Sequence, residues 1–137
     1  MVQLNYSMLN RTAEQQLLPW CRQHSIATII RGPLAQGVAT GKFDERTTFT
    51  DSVRQKWNQA PGREGFLRSV RMVEKLRFLE QPQRSMAQAA LQYVIAHPAV
   101  TTAIPGAKSV EQVRANAAAG DAPLASEQVE RVRELTA

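Results

Sequence analysis

The chain has 137 residues and 15.2 kDa, enough for one packed core and too few for two domains. Hydrophobic residues supply 43% and charged residues 21%, with 7 Gly and 7 Pro, which excludes disordered, collagen-like and low-complexity classes. The net charge of +5 raises nucleic acid as a partner, but the longest basic series (Arg63, Arg68, Arg71, Lys75, Arg77) is interleaved with Glu64, Glu74 and Glu80, as on a solvated helix face, and nucleic acid is set aside.

In chain order, Val2-Gln3-Leu4-Asn5-Tyr6 alternates apolar and polar, the period of a strand with one buried face. Thr12 and Gln15 have the spacing of a capping box. They predict a helix to about His24, with Leu17, Leu18 and Cys21 on one side and Pro19 either distorting it or marking a shortened start. Ile26 to Ile30 is a β-branched run bounded by Gly32 and Pro33, which reads as a buried strand. From Gly32 to about Gly62 no period persists, and a loop of roughly 30 residues is usually functional. Leu67, Val70 and Val73 or Leu76 then recur at helical spacing between Arg63 and Glu80. Ser85 and Gln88 form a second capping-box pair before a helix whose apolar face is Ala87, Ala90, Leu91, Val94 and Ile95. Val100 to Ile104 is a third strand, ended by Pro105-Gly106. Ser109 and Gln112 open a helix through about Ala119, and a last helix from about Ser126 turns Val129, Val132 and Leu135 inward.

Strands alternating with helices are the order of a parallel α/β chain, and three strands leave two edges open to association. No apolar run approaches the roughly 18 residues of a membrane span. The start, MVQLNYSMLN, has neither a basic head nor a long apolar stretch, so a cytoplasmic location without a membrane partner is expected. The single cysteine, Cys21, has no partner for a disulfide within the chain and reads as packed. Trp20, Trp57 and Tyr93 read as core, and His24 and His97 as helix C-terminal residues favoured by the dipole. No His, Glu or Asp cluster has metal spacing.

Ligands of parallel α/β folds bind beyond the carboxyl ends of the strands. After the second strand, Arg31-Gly32-Pro33-Leu34-Ala35-Gln36-Gly37 and then Gly41-Lys42 let backbone amides approach an anion and add a cation; the same residues also read as a Gly/Pro turn with a solvated lysine. After the third, Pro105-Gly106-Ala107-Lys108-Ser109 enters a helix N-terminus, a phosphate seat in outline. Ser109, Gln112 and Asn116 share a helix face. Either they reach one ligand, or they are a capping serine with two exposed amides.

The segments VQLNYSMLNR, QLLPWCRQH, IIRGPLAQGVATGKF and RSMAQAALQYVIAHPAVTTAIPGAKSVEQVRAN, with the spacing among them, resemble the carboxyl-terminal half of aldo/keto reductases over nearly the whole chain. That family folds as an eight-stranded (β/α) barrel and reduces carbonyls with NAD(P)H. The resemblance implies an α/β fold, a partial (half) TIM-type (β/α)8 barrel in which residues 1–137 supply three parallel strands, the sixth to eighth, with covering helices. It implies that Gln3 holds the nicotinamide carboxamide and that Arg31 stands where many members stack an aromatic ring on the nicotinamide, so that a guanidinium plane stacks there instead. Gly32, Pro33, Leu34 and Gln36 match the loop that follows the pyrophosphate, Lys42 its lysine, and Arg54 the arginine over the adenosine phosphates. Gly106 and Lys108 match the turn around the 2′-phosphate, and Gln112 and Asn116 the amides at adenine. Ala115 departs from the pattern, since many members carry an acid there; NAD stays possible, while Lys108 favours NADP. The family's catalytic aspartate, tyrosine, lysine and histidine lie in the first half of the barrel, and neither Tyr6 nor His24 matches them. The resemblance therefore implies the cofactor-binding half of an NAD(P)H-dependent reductase, inactive alone. Its partners would be NADPH and a second copy or a complementing amino-terminal half. The alternative is a standalone dinucleotide-binding module.

Overall fold

The structure is a computed structural model and describes residues 1–137. Three strands, β1 (Val2–Asn5), β2 (Thr28–Arg31) and β3 (Thr102–Ala103), form one parallel sheet in the order β1-β2-β3. Val2 pairs with Thr28 and Asn5 with Arg31, while Ile29 and Ile30 pair with Thr102 and Ala103. The alternation in β1 works as the sequence indicates: Leu4 is buried and Gln3 and Asn5 are exposed.

The second and third strands are shorter than their β-branched runs, for local reasons. Ile26 closes the preceding helix by donating to the Cys21 carbonyl at 2.8 Å, so β2 begins at Thr28. Before β3 the Thr28 hydroxyl replaces ladder pairing, donating to the Ala99 carbonyl at 2.7 Å and accepting from the Thr101 amide at 3.2 Å. Val100 donates instead to the His97 carbonyl in a turn.

Five helices accompany the sheet: α1 (Leu17–Gln23), α2 (Gly62–Lys75), α3 (Met86–Ala96), α4 (Val110–Ala117) and α5 (Ser126–Leu135). The capping box expected at Thr12 does not form. Thr12–Glu14 is a separate 3-10 turn, and α1 starts late with Pro19 in its first turn, where a missing N–H leaves no bond unmade. Leu18 and Cys21 are buried, but Leu17 and Trp20 are 39% and 49% exposed, which corrects the reading of both as inward.

The stripe of α2 runs through Val70, Val73 and Leu76 as expected, but Phe66 rather than the half-buried Leu67 opens it. The reason is aromatic: Phe66 stacks on Trp57 at 5.5 Å and meets Phe49 edge-on at 5.3 Å, and Phe43 closes the cluster 5.0 Å from Phe49. This cluster folds the long loop back onto α2. Asn58 fastens it, donating to the Phe49 carbonyl at 2.7 Å and accepting from its amide at 2.8 Å.

Ser85 and Gln88 make the complete capping box at α3, at 3.2 and 2.9 Å. Ser85→Ala is expected to cost about 1 kcal/mol, read as a lowered urea midpoint with an unchanged slope. Met86, Ala89, Ala90, Tyr93 and Val94 join Leu4 and Ile30 in one core, whereas Ile95 is 38% exposed. α4 has no buried residue, and α5 buries Val132. No helix is long and apolar enough to cross a membrane.

Candidate site at the strand carboxyl ends

β2 ends at the exposed Arg31, and Gly32 then takes φ +65°. A Cβ on Gly32 would lie 2.8 Å from Asn5 Oδ1, so any other residue at this left-handed φ would also have to push the Asn5 side chain aside. Ala35, Gln36 and Gly37 follow with φ of 49°, 56° and 95°, three consecutive left-handed residues. Short turn bonds hold them: the Ala35 amide donates to Gly32 O and the Gly37 amide to Leu34 O, both at 2.9 Å. Arg77 braces the far end by donating to the Gly41 carbonyl at 2.9 Å.

Between this turn, the end of β1 and the face of α2 lies a cleft of about 310 Å³, lined among others by Asn5, Arg31, Gly32, Gln36, Trp57 and Ser69. Of the expected residues, then, the structure gathers Arg31, Gly32 and Gln36 in one place. Arg54 adjoins them. Its guanidinium lies over Phe49 (4.9 Å) and Phe43 (5.5 Å), pairs with Asp51 at 2.8 Å, and puts Nη1 3.7 Å from where a Gly37 Cβ would stand. Pro33 is buried and Leu34 half-buried, so their side chains pack and leave the backbone to the rim. Gln3 and Lys42 are exposed, and Gln3 faces Ile29 in the register.

The residues after β3 form a separate group. Ser109 caps α4, accepting from the Gln112 amide at 3.2 Å, and Gln112 Oε1 accepts from the Lys108 amide at 2.7 Å. Ser109 is thus the capping serine of the second alternative, and the exposed Gln112 keeps its amide NH2 without a partner. Asn116 is half-buried without a side-chain hydrogen bond, Lys108 is exposed, and a Cβ on Gly106 would meet nothing within 4 Å. All seven ion pairs belong to Arg11, Arg54, Arg71, Arg77 and Arg133, which leaves Arg31, Lys42 and Lys108 unpaired.

Sequence reasoning missed two features. Asn5, Trp57 and Ser69 line the cleft, and only the polar phase of β1 hinted at Asn5. The other is a carboxylate cluster behind the sheet: Glu14 Oε1 accepts from Tyr6 at 2.6 Å and Tyr93 at 2.7 Å, while Oε2 accepts from Arg11 and lies 3.5 Å from Arg133 Nε. Burial alone would raise the Glu14 pKa, but hydrogen bonds from Tyr6, Tyr93 and Arg11 outweigh it and hold the carboxyl below its ordinary range. Burial and the neighbouring carboxylate push Tyr6 far up and Tyr93 to about 12, so both stay neutral donors. His97 stands edge-on to Tyr6 at 5.9 Å, and burial lowers its pKa. Its Nδ1 accepts from the Ala99 amide at 3.1 Å, a neutral imidazole rather than the dipole-favoured cation. His24 caps α1 as expected, its Nδ1 2.9 Å from the Trp20 carbonyl. No group of three His, Cys, Asp or Glu is placed to hold a metal.

Parallel strands covered by helices, with a glycine turn and unpaired cations beyond their carboxyl ends, define part of a (β/α) barrel. The sequence profile of the Aldo/keto reductase family matches residues 1–137, and the chain belongs to that family. It is 31% identical over 136 residues to the NADH-specific methylglyoxal reductase of Escherichia coli K12, covering 98% of this chain and 41% of that one. Among solved structures, the glycerol dehydrogenase of Gluconobacter oxydans superposes with a TM-score of 0.77 at 28% identity, over 97% of this chain and 41% of the other. An aldo/keto reductase of Klebsiella pneumoniae in complex with NADP and acetate gives 0.65 at 30% identity, over 98% and 38%. The chain thus spans about two fifths of the length of the relatives it matches.

Proposed function

We propose that residues 1–137 are the cofactor-binding part of an NAD(P)H-dependent reductase of aldehydes or ketones, with NADPH the favoured cofactor. The observation that carries this reading is the Gly32 turn: a left-handed glycine against Asn5 opens a braced loop at the end of the central strand, beside an unpaired arginine. The residues present fit a dinucleotide. Gly32 presents a bare backbone turn beside Asn5, and Arg31, Lys42 and Lys108 have no carboxylate to neutralise them.

In this reading the Gln3 amide orients the nicotinamide carboxamide and the Arg31 plane lies against the ring. The Gly32–Gln36 backbone follows the pyrophosphate, with Pro33 and Leu34 anchoring it. Lys42 and Arg54 meet the phosphates, Gly106 and Lys108 the 2′-phosphate, and Gln112 and Asn116 the adenine. Bound NADPH supplies a hydride for a carbonyl carbon. These residues hold it; the proton donor comes from the part of the barrel that the relatives possess beyond the matched two fifths. The exposed sheet face at Gln3, Asn5 and Arg31 and the free edges of β1 and β3 suit a complementing amino-terminal half or a second copy.

Calorimetric titration with NADPH, beside sedimentation of the same sample, tests this. Saturable binding is expected, with Lys108→Ala weakening NADPH roughly tenfold and leaving NADH unchanged, as loss of one charge-assisted phosphate contact predicts. A folded chain that takes up neither nucleotide would sink the reading.

A further inference from the structure

The cleft beside the Gly32 turn has a chemistry of its own. Arg31 is the one charged residue that lines it. Around it stand neutral hydrogen-bonding groups, Asn5, Asn10, Gln36 and Ser69, and an apolar wall that includes Trp57. No carboxylate faces the guanidinium, and Arg31 makes neither an ion pair nor a side-chain hydrogen bond within the chain. An arginine without a counter-ion, set among neutral donors and acceptors, leaves a positive potential that a planar or tetrahedral oxyanion satisfies with two parallel hydrogen bonds. A volume of about 310 Å³ admits a compound of a few carbons.

We propose that this cleft is an anion-receiving subsite, in which Arg31 binds the carboxylate or phosphate of a small compound and Asn5 and Gln36 hydrogen-bond its remaining polar atoms. The proposal rests on the preceding reading only for what the site serves: in a reductase it selects carbonyl substrates that carry an anionic group, such as 2-oxo acids or phosphorylated aldehydes. The guanidinium has two separable surfaces. Its plane is free to lie against a ring while its in-plane N–H fork takes the anion.

The chain has two tryptophans, and Trp20 lies outside the cleft, so a Trp20→Phe background leaves Trp57 as a reporter within it. Fluorescence titrations of the full chain with pyruvate, inorganic phosphate and neutral propanone are run with and without saturating NADPH. Pyruvate and phosphate are expected to shift Trp57 emission saturably and propanone not to. Arg31→Gln should weaken the anions roughly tenfold or more, and Arg31→Lys less, since it keeps the charge and loses the fork. Arg114→Gln, on the exposed α4, should change nothing.

Anion binding that persists with NADPH present supports a substrate subsite. Displacement of the anion by NADPH overturns it, because the cofactor's own phosphates would then be what Arg31 holds. No anion response in a chain that does bind NADPH overturns it as well. An anion response lost on Arg31→Gln, in a chain that binds no nucleotide, leaves the subsite standing and removes the cofactor reading instead.

Discussion

Glu14→Gln is expected to destabilise the chain by about 3 kcal/mol, because it removes one member of a largely buried charged cluster and leaves two arginines facing a neutral amide. The Glu14 side chain is 13% exposed and that of Arg11 22%. The substitution keeps the size of the side chain and removes only the charge, so a lowered urea midpoint with an unchanged slope would report the lost electrostatics rather than a cavity. A midpoint equal to wild type would mean that the tyrosines and arginines hold the neutral amide as well as they hold the carboxylate.

The same cluster sets the response to acid. Glu14 has a folded pKa below its ordinary value of 4.5, so the unfolded chain binds the proton more readily; the stability it contributes is complete above 4.5 and is lost as pH falls through the folded pKa. His97, lowered from 6.5 by burial, acts with the same sign but earlier, beginning as pH falls below 6.5. Two successive losses are therefore expected in a pH series of melts, and Glu14→Gln should shrink the more acidic one, to which Asp44, Asp51, Glu74 and Glu111 also contribute through their lowered pKa values, while the His97 loss persists.

The second large effect belongs to Gly32. Gly32→Ala must hold an L-residue at φ +65°, which costs about 1–2 kcal/mol, and must also place a Cβ 2.8 Å from Asn5 Oδ1. The two costs are separable. Asn5→Ala in the same chain should relieve the contact and recover that part of the loss, while the backbone part stays, a coupling readable from a double-mutant cycle of urea midpoints. Strict additivity of the two substitutions would show that the turn moves away from β1 rather than clashing with it. NADPH affinity measured on the same four proteins is expected to fall with Gly32→Ala whether or not Asn5 is present.

Much of the fold was legible because its elements announce themselves locally. Ser85 and Gln88 specify the start of α3 by reciprocal bonds that need no distant partner, and the alternation of β1 needs only one buried face. What the sequence hid was decided over distance. Thr28 shortens β3 by bonding 71 residues away to Ala99, and Phe66 is buried more deeply than Leu67 because Phe43, Phe49 and Trp57 arrive from a loop without any period. At the site, the glycine turn and the basic residues could be read from composition, but the separation of Arg31, Gly32 and Gln36 from the α4 group depends on which residues share a cleft. Glu14 gave no warning, since its spacing to Arg11 resembles an ordinary surface pair until Tyr93 closes over it.

Arg11 also reaches forward along almost the entire chain, donating to the Arg133 carbonyl at 2.7 Å and to the Thr136 hydroxyl at 2.9 Å. During synthesis β1 and the Thr12–Glu14 turn emerge well before α5, and the ionic cluster they belong to stays incomplete until α5 has been translated. A nascent chain carrying everything up to α4 therefore holds Glu14 with part of its counter-charge missing, and closure of the cluster waits on α5.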